Sequence, residues 1–146
     1  MLGSDFAIGE KTIAALPTRD SFLPALAVLG TAAERGLSLS ELVDDFNLPV
    51  ALSDRLENYA SERSASLMAH LRTSGEHLSA FLGPIGAVAS VSDIDGLRAT
   101  LTDGRVIHFR PSGNAPEMRC YVEAANTEDA EQLLKQGLSL LSDWEA

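Results

Sequence analysis

Two runs of alternating residues closed on a long loop constrain this chain more than any other feature in it. Leu97, Ala99 and Leu101 alternate with Arg98 and Thr100, and Ile107 and Phe109 alternate with Val106, His108 and Arg110. In MRCYVEA, Met118, Cys120 and Val122 share one phase. A period of two sends successive side chains to opposite faces of a strand, so these runs predict a sheet with one apolar face. Asp95-Gly96 and Asp103-Gly104 are two-residue turn signals whose positive φ angles match strand twist, which sets up a meander.

The loop between the last two runs, RPSGNAPEMR, carries an arginine at each mouth. Alternation takes Arg110 and Arg119 off the core face. Gly113 frees the backbone to aim amides inward, and Ser112 and Asn114 add uncharged donors. A guanidinium offers a planar fork that matches two oxygens of a phosphate. The pattern therefore reads as a local anion site. The plainer reading is a hairpin loop with two solvated arginines, one of them paired to Glu117 or Glu123.

Helical spacing frames this sheet. Phe22, Ala25, Leu26, Leu29, Ala32 and Ala33 mark one helix, with Pro24 in its first turns and Gly36 placed to stop it. Ser38 and Glu41 form a capping box for a second, with Leu42, Val43 and Phe46 on one face. An extended segment follows and ends near Tyr59. Next come a helix carrying Leu67, Met68 and Leu71 and a short one around Leu78 to Leu82. The last helix, capped by Asn126 or Thr127, carries Ala130, Leu133, Leu134, Leu138 and Leu141 to cover the sheet. From about Leu48 onward the chain reads as α+β, a small antiparallel sheet with helices packed on one face. The first 20 residues are irregular, interrupted by Gly3, Gly9 and Pro17, with room for the end of one strand.

With 146 residues and 45% hydrophobic content the chain has material for one domain and an appendage. A net charge of −10, with scattered Lys and Arg, argues against nucleic acid and anionic membranes as partners. The single cysteine, Cys120, reads as a core thiol and fits a reducing compartment. With no signal peptide pattern and no apolar run long enough for a bilayer, a cytoplasmic location is expected.

Other chemistry is thin. Asp93 and Asp95 before Gly96 are ordinary turn residues rather than a metal loop. His70 and His77 are seven apart, but TSG interrupts the helix between them, which argues against a shared metal site. His108 stands two residues before Arg110 and either edges the anion site or is solvated. G-x-S-x-G, the phosphate-cradling G-x-x-x-x-G-K-[ST] and G-x-G-x-x-G do not occur.

DGRVIHFRPSGNAPEMRCYVEA resembles the phosphate-binding loop in the C-terminal domain of the α-D-phosphohexomutases, nearest to their bacterial phosphomannomutase-like branch. LGSD, LPTRDSFLPALAVL and ASDRLENYASERS resemble the end of that family's third domain and the start of its fourth. The resemblance spans nearly the whole chain and about the last third of such a four-domain enzyme. It implies that residues 1–46 are a mainly two-helix remnant of the third domain and that residues 47–146 are the C-terminal phosphate-binding domain. In such enzymes a first-domain phosphoserine donates its phosphoryl group, a Mg²⁺ loop in the second domain assists, and a third-domain loop reads the sugar. The fourth-domain loop holds the phosphate that is not reacting.

Carried over by motif, that role falls on Arg110, Ser112, Gly113, Asn114 and Arg119. Many relatives have Thr at the place of Asn114 and a longer polar residue at that of Ala115. The implied partner is a phosphosugar, a mannose or glucose phosphate interconverted between its 6- and 1-phosphates. The chain carries no TASHNP nucleophile motif, no DGDxDR metal loop and no complete sugar-reading loop. The expectation is a proteolytic piece of a full mutase or a truncated gene product, with no catalytic residue, cofactor or metal site of its own and no turnover alone. The Mg²⁺ would belong to the full-length enzyme. The rival expectation is a non-catalytic relic of the same fold, serving as an interaction or regulatory module. The remnant's apolar residues are expected to dock on the missing N-terminal mutase domains' neighbour, the fourth domain, or to pair in a homodimer.

Overall fold

The structure, a computed structural model, describes residues 5–15 and 21–145. The first four residues and Pro17, read above as irregular chain, lie outside the described residues. Contacts divide the chain into two compact units, Met1–Leu48 and Pro49–Ala146.

In the first unit, β1 (Phe6–Ile8) and β2 (Lys11–Ile13) form an antiparallel hairpin, where the sequence offered only one strand end. Gly9 explains the difference. Its φ of 58° supplies the positive torsion that a two-residue turn between Ile8 and Lys11 requires. Helix α1 (Phe22–Arg35) stops as expected at Gly36, whose left-handed backbone lets its N–H reach the carbonyls of Ala32 and Ala33. Helix α2 (Leu39–Asp45) begins with the complete Ser38–Glu41 capping box. Leu42 and Ala32 are buried, whereas Leu26, Leu29, Val43 and Phe46 remain half or more exposed.

The second unit is α+β. Its strands are β3 (Val50–Leu56), β4 (Val88–Ser92), β5 (Leu97–Leu101), β6 (Val106–Pro111) and β7 (Met118–Ala124). They form one antiparallel sheet in the order β3-β7-β6-β5-β4. Helices α3 (Ser61–Thr73), α4 (Gly75–Leu82) and α5 (Thr127–Asp143) complete it. The core contains Leu97, Ala99, Leu101, Ile107, Phe109, Met118, Cys120 and Val122 from the sheet. It meets Leu67, Met68 and Leu71 of α3, Leu78 and Leu82 of α4, and Ala130, Leu133 and Leu141 of α5. Burying each such Leu, Ile or Phe side chain stabilises by about 1.5–3 kcal/mol. Val106 departs from the alternation: it has the parity of His108 and Arg110 yet is 7% exposed. It stands opposite Glu123, whose ion pair with Arg98 crosses the open face beside it.

Helix α5 starts with the Asn126 side chain accepting from the Asp129 amide, and it comes close to the sheet at Gly137. A Cβ on Gly137 would stand 2.7 Å from Ile107 Cδ1 and 2.8 Å from Cys120 Sγ. Burial pushes the Cys120 thiol up to about 12, with the Asp54 charge adding to the shift.

Two outcomes follow from this packing. Gly137→Ala gains about 1 kcal/mol of helix propensity but overpacks a closed core at a cost of about 1–3 kcal/mol. Urea denaturation should therefore show a net loss near 1 kcal/mol, where the same change on an exposed helix face would stabilise. The raised Cys120 value favours the neutral thiol in the fold. Its contribution is complete below the ordinary value of 9.0 and is lost as pH rises through about 12. The stability gap between the wild-type protein and Cys120→Ala should narrow over that window in denaturation curves taken at successive alkaline pH values.

Candidate anion-binding site

The β6–β7 hairpin determines where the arginines go. Phe109 pairs with Cys120 in the core, so the next pair along the ladder, Arg110 with Arg119, leaves by the opposite face. The loop beyond them is tied at its base by the Ser112 amide donating to the Glu117 carbonyl at 3.0 Å. The Tyr59 amide donates to the Pro116 carbonyl at 2.8 Å. Asn58, with φ of 57°, makes the turn that brings Tyr59 there. Within the loop the Asn114 amide reaches Ser112 Oγ at 3.4 Å.

Arg110, Ser112 and Gly113 line one cavity of about 760 Å³, facing Ser61 and Arg72 of α3. Arg119 instead lines a neighbouring cleft of about 300 Å³ with Ser53, Asp54, Arg55 and Tyr121. Asn114 is exposed and lines neither of them. Three of the five expected residues thus share a cavity, Arg119 lines the neighbouring cleft, and Asn114 is exposed outside both.

Two arginines escaped the sequence reading. Arg55 pairs in register with Arg119, so Arg55, Arg119 and Arg110 form one row across β3, β7 and β6. Alternation within β3 hinted that Arg55 faces outward, but nothing local says that β3 lies beside β7. Arg72 lines the larger cavity and donates to the Gly96 carbonyl at 3.0 Å.

Each arginine of the row has a carboxylate nearby. Arg110 Nε lies 3.0 Å from Asp95 Oδ1, and Arg119 Nη2 lies 3.6 Å from Glu117 Oε2. Arg55 Nη2 lies 2.9 Å from Glu57 Oε1, and its Nε lies 3.5 Å from Glu117 Oε1. Hydrogen bonding to Glu57, followed by the charge of Glu117, raises the Arg55 guanidinium above its ordinary value. Tyr121 does the same for Arg119, with Glu117 second. Arg55 and Arg119 therefore persist as cations at any working pH.

The two histidine features settle differently. His108 hydrogen-bonds the Asp95 carbonyl and stacks on Tyr121 with ring centroids 5.4 Å apart. It braces the turn next to Arg110 and is half-buried. His70 and His77 meet despite the helix break, because α4 restarts directly at Gly75. Their rings stack in parallel at 4.2 Å, and His77 Nδ1 lies 3.2 Å from the His70 carbonyl oxygen. Parallel rings present faces to one another and do not converge nitrogens on a cation. Among the described residues no group of three or more His, Cys, Asp or Glu is placed to hold a metal ion.

The family described as phosphoglucomutase/phosphomannomutase, C-terminal domain, matches residues 55–138, more than half of the chain. The chain belongs to this family. It is 51% identical over 142 residues to a phosphomannomutase from Sinorhizobium fredii, covering 97% of this chain and 30% of that protein. A phosphomannomutase from Salmonella muenchen is 39% identical over 140 residues, covering 95% of this chain and 29% of its own length. A phosphoglucosamine mutase from Methanocaldococcus jannaschii is 30% identical over 127 residues, covering 86% of this chain and 26% of its own. The chain thus spans about 30% of the length of the curated relatives it matches.

Gly96 couples the family's fold to the candidate site. Its φ is +87°, and a Cβ there would stand 2.4 Å from the Phe109 carbonyl oxygen. Backbone, unlike a side-chain end, cannot step aside. Gly96→Ala should cost about 2–4 kcal/mol from positive-φ strain plus overpacking, measured by thermal and urea denaturation. Gly104→Ala, also at positive φ (89°) but with open space around it, should cost only the strain portion.

Proposed function

We propose that this chain supplies the phosphate-gripping part of a mutase that interconverts hexose 6-phosphate and hexose 1-phosphate. Residues 47–146 bind the phosphate that is not being transferred, and residues 1–46 belong to the preceding mutase domain. The observation that carries the reading is the cavity shared by Arg110, Ser112 and Gly113, with Arg119 in register beside Arg110. A phosphate in the cavity accepts from the Arg110 guanidinium, the Ser112 hydroxyl and loop amides. Arg119 and Asn114 close on it from the β7 side and the loop tip.

The binding step is an exchange of partners. Arg110 must leave Asp95 and Arg119 must leave Glu117, and both arginines are about 40% exposed. Exposed ion pairs contribute about 0–1 kcal/mol, whereas hydrogen bonds from arginine to a phosphate contribute about 1.5–3 kcal/mol each, so the phosphate wins. Holding the distal phosphate is binding energy common to substrate and transition state. Its use is orientation: it sets the reacting end of the sugar against the phosphoryl donor elsewhere in the enzyme. The Mg²⁺ that the family resemblance implies does not fit the donors found among the described residues, and no step in this unit runs through it.

The test is an amide chemical-shift titration of the whole chain with mannose 1-phosphate and with inorganic phosphate. Ser112, Gly113 and Asn114 should shift at millimolar ligand. Arg110→Ala and Arg119→Ala should each weaken binding about ten- to a hundredfold without loss of fold, and Arg119→Lys should recover only part. Saturating ligand that leaves those three amides unmoved would overturn the assignment in favour of a non-catalytic interaction module.

A further inference from the structure

We propose that Arg55 is a third arginine of the phosphate site and that Glu117 is the built-in anion the site holds when no ligand is bound. The inference rests on the phosphate-binding reading above and deepens it. Its starting observation is one carboxylate shared by two strands. Glu117 presents Oε1 to Arg55 Nε at 3.5 Å and Oε2 to Arg119 Nη2 at 3.6 Å. Its side chain is 19% exposed, against 51% for Arg55 and 39% for Arg119. Two guanidinium groups therefore flank a single, mostly covered carboxylate.

The distances show that the carboxylate fits loosely. Charge-assisted N–H···O bonds close at about 2.7–2.9 Å, so contacts of 3.5 and 3.6 Å hold Glu117 by charge with little directional bonding. A phosphate has three terminal oxygens and up to two negative charges, and it closes on both forks where a tethered carboxylate reaches neither well. Arg55 is already aimed for this. Its Nε and Nη2 donate to Glu57 Oε1 at 3.2 and 2.9 Å, which fixes the guanidinium plane over the open face.

Glu117 also stands on the wall between two spaces. It lines the larger cavity with Arg110, Ser112 and Gly113, while its two partners line the smaller cleft with Ser53 and Tyr121. Withdrawing its side chain joins the two spaces and gives one anion access to the full row Arg110–Arg119–Arg55. The device also explains why an acidic residue occurs inside a phosphate loop: it keeps two neighbouring cations neutralised in the empty protein.

Inorganic phosphate and mannose 1-phosphate titrated into the whole chain test the idea, read at the loop amides and at the Arg55 and Arg119 Nε–H signals. Arg55→Ala should weaken binding about five- to twentyfold, Arg55→Lys less, and Glu117→Gln should strengthen it about three- to tenfold at low salt. Arg98→Ala, which removes an equal charge from the same face beyond the row, should change affinity less than twofold. Amide spectra confirm that each variant is folded. If the loop amides respond and Arg119→Ala weakens binding, but Arg55→Ala and Glu117→Gln stay within twofold of wild type, this inference fails and the loop reading stands. If the loop amides do not move while Arg55→Ala still weakens binding, the loop reading fails and the row itself is the anion site.

Discussion

Everything at the candidate site depends on one cross-strand pair, Phe109 with Cys120, buried completely beneath α5. Because side chains alternate strictly, fixing that pair inside fixes Arg110 and Arg119 outside and opposite one another. A slip of either strand by one residue would turn that strand's guanidinium group into the apolar core, at a cost of several kcal/mol. Gly137 strengthens the choice, since only a residue without a side chain lets α5 come this close to Ile107 and Cys120. The apolar face thus does more than stabilise. It places the cations.

Electrostatics at the site is short-ranged by necessity. A chain with net charge −10 repels phosphate esters at a distance, but at physiological salt the screening length is about 8 Å, so most of that charge is not felt at the loop. What an arriving anion meets is the row of arginines and their carboxylate partners Asp95, Glu117 and Glu57. Asp95 and Glu57 are more exposed than the arginines and Glu117 is less so, and together they keep the empty surface from carrying three bare cations. At the proposed site, selectivity for a phosphate over the protein's own carboxylates would come from charge and oxygen count, not from a preformed positive field.

Much of this was legible in the sequence wherever the determining interaction is local. Ser38 with Glu41 and Gly36 after Arg35 act within a few residues and stand where the pattern put them. The Asp-Gly pairs at 95–96 and 103–104 do mark turns, but in four-residue connections (93–96 and 102–105) where only the glycines have positive φ, not in two-residue turns. The alternation of β5, β6 and β7 named the core face and sent Arg110 and Arg119 away from it. Non-local pairing was not legible. Nothing near Arg55 says that β3 adds to β7, so the arginine row stayed hidden. The Asp95–Arg110 contact depends on how the β4–β5 turn lies over β6. Val106 is covered by neighbours from other strands, and His70 meets His77 because a break of one residue, Ser74, leaves the two helices folded against each other. The family resemblance supplied the proposed role of the loop, which spacing alone left open between an anion site and a plain hairpin.

The strand order carries a consequence for how the unit assembles. Strands β4 to β7 are joined one to the next and pair with their sequence neighbours, so each hairpin closes at a small entropic cost. β3 alone pairs with a strand far along the chain, across α3, α4 and the entire meander. Long-range pairing is the slow kind, rewarded only after most of the chain has been gathered. The hairpin that bears Arg110, Arg119 and the loop can therefore form early, while Arg55 and the Tyr59 tether on Pro116 arrive with the last strand. On this topology the loop is expected to form first as an open clasp that docking of β3 closes.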